Sequence, residues 1–271
     1  MLSAAQISQF HRDGFVKGDR MVDDAWVAEL RDEVLRVIAD EGSAKPQPVS
    51  LSKWDTGGAV IYQICNIWEA SDAFRRLITH APIIDSAAEL IGARELRVWH
   101  DQIQYKPANT GGVNRWHQDW PYWPILSGPT QVTAWIALDD AAEDNGCMSM
   151  VPGSHQWGSH IDFLHTINEI DDMPASRDGH QLVVKRCPVK AGEVHFHHGL
   201  TWHGSHANTS GRPRRAIAIH LMSEQTNFVA SGSHLMKPYV ESPDGAKITG
   251  AHFPQVWSAD ARAPHLASVP A

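Results

Sequence analysis

Cysteine is scarce in this chain. Cys65, Cys147 and Cys187 are the only three in 271 residues, and no two form a CxxC pair. That spacing argues against a disulfide framework and a thiolate zinc site, and it fits a reducing cytosol. Long apolar runs are missing too: none approaches the ~18 residues of a membrane span. The opening Met1-Leu2-Ser3-Ala4-Ala5-Gln6 lacks the basic and apolar regions of a secretory leader, so a cytoplasmic location without membrane attachment is expected. No Lys/Arg-rich run occurs and net charge is −8, which argues against nucleic acid as a partner. Glycine-rich phosphate loops are absent, as is the GxSxG elbow of serine hydrolases. The abundant residues are 17 histidines and 11 tryptophans.

The first third reads as helical. Ser3-Ala4-Ala5-Gln6 is a capping box, and the short helix it starts should end at Gly14. Asp23 caps a second helix over about 24–41, with Trp26, Leu30, Val34 and Ile38 as its apolar stripe. Residues 43–60 read as loop and Val60 to Trp68 as a weak strand. Two helices follow, one capped by Ser71 and one started by Pro82 and ended by Gly92.

The pattern changes at Glu95. In Glu95 to Tyr105, Leu96, Val98, His100, Gln102 and Gln104 share one parity. On a strand the last three would project together, into a wet cavity or from a solvent-facing edge. Further strands are expected at Gln131–Leu138, Cys147–Val151, Leu182–Val184, Glu193–Phe196 and Arg215–Met222. Residues 155–180 look like an insertion or lid, and the tail after Gln225 shows no clear core. Helices followed by many short strands predict a mainly β protein with flanking helices, a sandwich or jelly roll.

The most informative stretch is Trp116-His117-Gln118-Asp119-Trp120-Pro121-Tyr122-Trp123. If it is extended, His117 and Asp119 lie on one face and can grip one metal ion. One more ligand would complete a two-histidine, one-carboxylate face with open positions, as in non-haem iron(II) oxygenases. His195, His197, His198, His203 and His206 crowd the segment that offers it. Three arginines follow, and an arginine in an apolar barrel needs an anion, which a dicarboxylic cosubstrate would supply. Alternation puts Arg212 and Arg214 on one face and Arg215 on the other.

Taken in order, four motifs resemble the phytanoyl-CoA dioxygenase family. They are His117-Gln118-Asp119, Asp144-Asn145-Gly146-Cys147, Val151-Pro152-Gly153-Ser154-His155, and His203-Gly204-Ser205 with Asn208 and Arg214. The HxD motif alone is weak, whereas the ordered set over about residues 95–222 is specific. The resemblance implies a double-stranded β-helix (jelly-roll, cupin-like) core at 94–224. Within a single oxygenase domain of 1–271, that core would follow a mainly helical flank at 1–93 and precede an irregular tail at 225–271. It implies Fe(II), 2-oxoglutarate and O₂, with His117, Asp119 and His203 as the iron ligands. By the same resemblance, Arg214 and Ser205 hold the distal carboxylate of 2-oxoglutarate, Gln104 helps to bind it, and Thr133 and Trp135 line its pocket.

The implied reaction releases succinate and CO₂ and hydroxylates an unactivated carbon. Because Asp119 is a carboxylate, no coordination position is vacated for chloride. Desaturation, epimerisation and ring closure use the same oxidant. His100, Gln102, Trp120 and Trp123 suggest a small or medium-sized polar metabolite with an apolar part. An acidic chain without a basic cluster suits a CoA ester poorly. Two alternatives are a non-catalytic β-helix binding or sensor protein and a cupin-type metal enzyme without 2-oxoglutarate.

Overall fold

The computed structural model describes residues 1–55 and 57–260. Local signals set the helices. In α1 (Ala4–Asp13) the Ser3 hydroxyl accepts from the Gln6 N–H while the Gln6 amide oxygen accepts from the Ser3 N–H at 2.8 Å. Gly14 closes the helix at φ 83°, a backbone that favours glycine. Next come a short strand, β1 (Phe15–Arg20), and α2 (Asp24–Ala39), capped by Asp23. α3 (Asp72–Leu77) and α4 (Ala81–Ile91) follow, with Pro82 in the first turn of α4 and Gly92 at its end.

The region expected as loop at 43–60 contains a strand, β2 (Ser50–Asp55), which forms a hairpin with β3 (Val60–Cys65). None of the β2 side chains is buried. Pairing with β3 makes this a strand, and its own apolar pattern does not reveal it. The remaining strands run from β4 (Glu95–Lys106) through β5 (Asn114–His117), β6 (Gln131–Ala137) and β7 (Met148–Met150). After a one-turn helix, α5 (Ile161–Leu164), come β8 (Ser176–Arg177), β9 (His180–Gln181) and β10 (Lys185–Cys187). The chain continues through β11 (Glu193–His198), β12 (His203–Ser205), β13 (Arg214–Ser223) and β14 (Gln255–Ser258). The strand expected at Leu182–Val184 is displaced to β10, because Leu182 is buried in a loop core instead.

Two antiparallel sheets form the double-stranded β-helix. The larger has the order β1-β11-β6-β13-β4-β3-β2, with β14 added against β4; the smaller has the order β10-β7-β12-β5. The helices cover the outer face of the larger sheet. Leu30, Val34, Phe74, Ile84 and Ala87 pack there on Val98, Ile103, Ile136, Ile217 and Ile219. Trp135, Ala216 and Ala218 of the larger sheet meet Met148, Met150 and Cys187 of the smaller one inside the barrel.

A bulge in β4 corrects the expected parity. His100, Gln102 and Gln104 pair with His220, Ala218 and Ala216, but Val98 pairs with Leu221, leaving Trp99 as the extra residue. Leu96 and Val98 therefore join the helix-side core, while the three polar residues face the barrel interior. The expected insertion at 155–180 carries a small core of its own. Leu164, Ile167, Ile170 and Leu182 pack on Trp116 and Trp202, and the Trp116 indole N–H donates to the Ile170 carbonyl at 2.9 Å. The tail after Gln225 does have a core: Phe228, Met236, Ile248 and Phe253 pack on Trp99, Trp123 and Ile125. These anchors are scattered among turn residues, so no periodicity announces them. The part of the expected tail at 261–271 lies outside the described residues.

Candidate active site

His117 ends β5 and pairs across the smaller sheet with His203, which opens β12. Their ring centroids are 4.0 Å apart. Asp119 is not extended, so the condition under which alternation would place it beside His117 is not met. Its backbone is helical (φ −71°, ψ −52°) as the chain turns into a short 3-10 segment at Trp120–Tyr122. That turn, not strand alternation, brings its carboxylate to the two imidazoles. Asp119 Oδ1 lies 3.8 Å from His117 Nε2 and 3.4 Å from His203 Nε2.

Second contacts set the orientation of each group. His117 Nδ1 faces the Arg115 carbonyl at 2.7 Å, and His203 Nδ1 faces the Thr201 carbonyl at 2.9 Å. Both Nδ1 atoms must donate there, which turns the Nε2 lone pairs toward one point. Asp119 Oδ2 accepts from Thr133 Oγ1 at 3.0 Å and His197 Nε2 at 3.1 Å, leaving Oδ1 free for the shared point. Among the described residues, only His117, Asp119 and His203 form a cluster whose ligand atoms all lie within 4.8 Å of one another. This donor set suits a divalent cation with open positions toward the cavity. Burial, then the nearby His203, pushes the His117 imidazole down to about 3, so the ring is neutral at physiological pH and its Nε2 lone pair is available. Burial opposes charge on Asp119, but His203 and its hydrogen bonds outweigh that and hold its pKa well below the usual carboxylate range.

A small annex of about 70 Å³ leads from this cluster to Arg214. The three arginines left open by alternation now separate. Arg212 pairs with Asp144 on the surface, and Arg215 pairs with Asp139 at 2.7 Å. Arg214 is 2% exposed and has no carboxylate partner among the described residues. Its guanidinium donates to the Gly146 carbonyl at 3.0 and 3.1 Å, the Gln104 carbonyl at 3.3 Å and Ser205 Oγ at 3.3 Å. Burial lowers its pKa only to about 10, so it remains a cation at neutral pH. Gln104, Ser205 and Trp135 line the annex, and Arg214 stands 5.4 Å from the Trp135 ring. Thr133 does not line it. Its hydroxyl is committed to Asp119 and to His220 Nδ1 at 2.8 Å.

A larger cavity of about 690 Å³ opens over the cluster. His100, Gln102 and Trp123 line it, as expected, together with Tyr122, His220 and His234. Trp120 does not: it packs beside the Trp99 and Trp123 core. Trp116 is likewise core and does not face the cavity. Thr133 gives its one hydrogen to Asp119, so His220 Nδ1 must donate to Thr133 and His220 Nε2 is left as an acceptor. The mouth is apolar: Trp54, Val113, Tyr122 and Leu235 are all exposed there, and Tyr122 is tied to His165 of the 155–182 segment at 2.7 Å.

The other histidines sort by contact. His197 supports Asp119, and His195 stacks on Phe15 at 5.6 Å. His198 turns into a separate groove beside His155 and Phe10, and His206 bonds Arg186 and Asp171. Sequence reading missed Asn114, His220, His234 and Lys106. Asn114 bridges Gln104 and Ser205 at 3.1 and 3.2 Å. It lies three residues before His117 on the same strand, and that position was its one available signal.

A family model described as phytanoyl-CoA dioxygenase (PhyH) matches residues 10–216. The ectoine dioxygenase of Bordetella parapertussis is 27% identical over 236 residues, covering 80% of this chain and 74% of that one. The non-haem alpha-ketoglutarate-dependent carbocyclase SnoK from nogalamycin biosynthesis is 27% identical with a TM-score of 0.74, over 94% of this chain and 97% of that one. The corresponding epimerase SnoN is 26% identical with a TM-score of 0.73, over 93% and 97%. With its two-sheet barrel, its triad of two histidines and an aspartate, and these matches, the chain belongs to the phytanoyl-CoA dioxygenase family.

Proposed function

We propose that His117, Asp119 and His203 hold the iron of this 2-oxoglutarate-dependent dioxygenase, and that the enzyme hydroxylates a medium-sized amphiphilic metabolite. Arg214 carries the reading. It is a buried cation without an acid at the end of an annex that begins at the triad, which suits the distal carboxylate of 2-oxoglutarate. Iron(II) held there would supply the oxidative decarboxylation of 2-oxoglutarate by O₂ to succinate and CO₂, and with it the power to oxidise a C–H bond. The protein's own groups do the rest. Arg214, Ser205 and Gln104 orient the cosubstrate, and Trp135 walls it in. Thr133 and His197 fix the Asp119 carboxylate.

The larger cavity supports the substrate class. A volume of about 690 Å³ falls in the range of sites for drug-sized ligands. Its interior offers neutral polar groups, His100, Gln102 and His220, and its rim offers Trp54, Val113 and Leu235. Arg115 is the one lysine or arginine in the described lining, too little charge for a CoA pyrophosphate. All three cysteines are free and buried, which supports a cytosolic setting. The test is substrate-dependent succinate release by anaerobically iron-loaded protein across neutral amphiphiles and acyl-CoAs, with product mass read in parallel. Response to acyl-CoAs alone sinks the substrate class. Binding without any 2-oxoglutarate turnover would make the chain a binding module.

A further inference from the structure

Three adjoining strands set a row of polar side chains along one wall of the larger cavity. Thr133 on β6 pairs with His220 on β13, and His220 pairs with His100 on β4. Directly opposed residues face the same way, so the row runs from the triad outward. The His100 and His220 ring centroids are 4.7 Å apart, and His234, from the segment after β13, stacks on His100 at 5.8 Å. His100 and His220 are 4% and 3% exposed, and all three rings line the cavity.

The protein fixes one nitrogen of each ring and leaves the other uncommitted. Asp119 takes the Thr133 hydrogen, so His220 Nδ1 is the donor to Thr133 Oγ1 at 2.8 Å. His100 Nδ1 faces the Asp101 carbonyl at 3.4 Å, which can only accept. His234 Nδ1 accepts the Met236 N–H at 3.1 Å. Burial keeps the rings neutral: it pushes His220 and His234 each down to about 4 and holds His100 well below its ordinary value. A cation at the triad would only disfavour charge on His220 further. The Nε2 atoms of His220 and His100 are therefore acceptors, and that of His234 carries a hydrogen. None of the three has a hydrogen-bond partner among the described residues, and two neighbouring acceptors cannot satisfy each other.

We propose that the substrate carries paired neutral hydroxyl groups on an otherwise apolar body, and that His220 and His100 select it by accepting hydrogen bonds from those hydroxyls. The inference deepens the amphiphile reading and rests on the larger cavity being the substrate site. Asp119 is the one acid in the described lining and belongs to the metal cluster, so an ammonium group would go uncompensated. An ether, ester or ketone offers only acceptors and would leave both imidazole nitrogens unpaired. A hydroxyl donates to one histidine and can accept in turn from His234 Nε2 or from the Gln102 amide. Because His220 also lines the annex beside the triad, the hydroxylated end points inward, toward the carbon to be oxidised. The apolar end then lies among Trp54, Tyr122 and Leu235 at the mouth.

The test measures binding to protein loaded with Zn(II) and 2-oxoglutarate, which cannot turn over, by calorimetry or ligand-observed NMR. The probes share one tetralin skeleton: a vicinal cis-diol, its dimethyl ether, an ammonium derivative and a carboxylate derivative. Wild type should bind the diol at least about tenfold more tightly than each of the others. His220→Asn keeps an N–H where Nδ1 stands, for Thr133, but has nothing at the Nε2 position. It should weaken the diol about tenfold, leave the ether within about twofold, and keep Zn(II) affinity within about threefold. His100→Phe keeps a ring without the acceptor and should show the same split between diol and ether. Equal binding of diol and ether, tighter binding of the ammonium or carboxylate, or no diol binding overturns the proposal, and these wild-type measurements need no variant. Folded variants that weaken diol and ether alike overturn it too, since the histidines would then only shape the wall. Failure of 2-oxoglutarate itself to bind is read separately and sinks the underlying dioxygenase site.

Discussion

Replacing Thr133 with valine should weaken the metal site without touching a ligand. The side chains are nearly the same shape, so packing between β6 and its neighbours is kept while the hydroxyl is lost. Two contacts go with it: the 3.0 Å bond to Asp119 Oδ2 and the 2.8 Å bond to His220 Nδ1. A hydrogen bond to a charged carboxylate contributes about 1.5–3 kcal/mol. At about 1.4 kcal/mol per tenfold, that converts to roughly 10–100-fold weaker metal binding, the usual cost of removing a group behind a ligand. The second loss leaves the His220 N–H buried without an acceptor and should lower metal-free stability by about 1–3 kcal/mol. Competition of Co(II) against a chromophoric chelator reads the first effect, and urea unfolding of metal-free protein reads the second. Thr133→Ser keeps the hydroxyl and should stay within about threefold of wild type. Unchanged metal affinity in the valine variant, with weakened 2-oxoglutarate binding, would refute this reasoning and return Thr133 to the cosubstrate pocket.

Two further outcomes follow from the wider structure. Burial pushes the Asp101 carboxyl up to about 8, well above its unfolded value near ~3.9. A raised folded pKa gives stability that is complete below the unfolded value and is lost as pH rises through the folded one. Wild type should therefore lose stability between about pH 4 and 8, while Asp101→Asn keeps an acceptor for the Ile67 N–H and should not; parallel urea midpoints across that window refute it. Trp54→Ala at the cavity mouth should raise KM for the organic substrate about tenfold and leave the metal and 2-oxoglutarate affinities unchanged. A shift in all three would mean that the hairpin supports the barrel and not the substrate.

Much of the candidate site could be read from the sequence because its chemistry is confined to short motifs. His117, Asp119, His203, Ser205 and Arg214 lie within named strings, and the barrel gathers them from the paired strands β5 and β12, the turn after β5, and β13 of the facing sheet. Thr133 could not be placed, because the β6 pattern shows that the residue is buried but not which neighbour its hydroxyl meets. The tryptophans failed for a related reason. Trp116, Trp120 and Trp123 sit within eight residues, yet only Trp123 reaches the cavity, since the chain leaves β5 through a tight turn. Lys106 carried no local sign at all: a lysine at a strand end normally meets water, and it takes distant parts of the chain, Gly111, Gly146, Ser205 and His206, to enclose it. The bulge at Trp99 shows the limit of alternation, since one inserted residue reverses the facing of everything beyond it.

The origin of the cavity walls has a consequence for how this enzyme could diversify. The groups proposed to hold metal and cosubstrate come from the barrel strands β4, β5, β6, β12 and β13 and from the turn after β5. Much of the outer wall comes from elsewhere: Trp54, Ile61 and Gln63 from the β2–β3 hairpin, His234 and Leu235 from the segment after β13. The parts that power the reaction and the parts that choose its target are thus encoded in separable stretches of chain. Lengthening the hairpin turn or rewriting residues 226–250 would remould the entrance while the triad stayed in register. A lineage built this way can inherit its oxidant intact and exchange its substrates piecemeal.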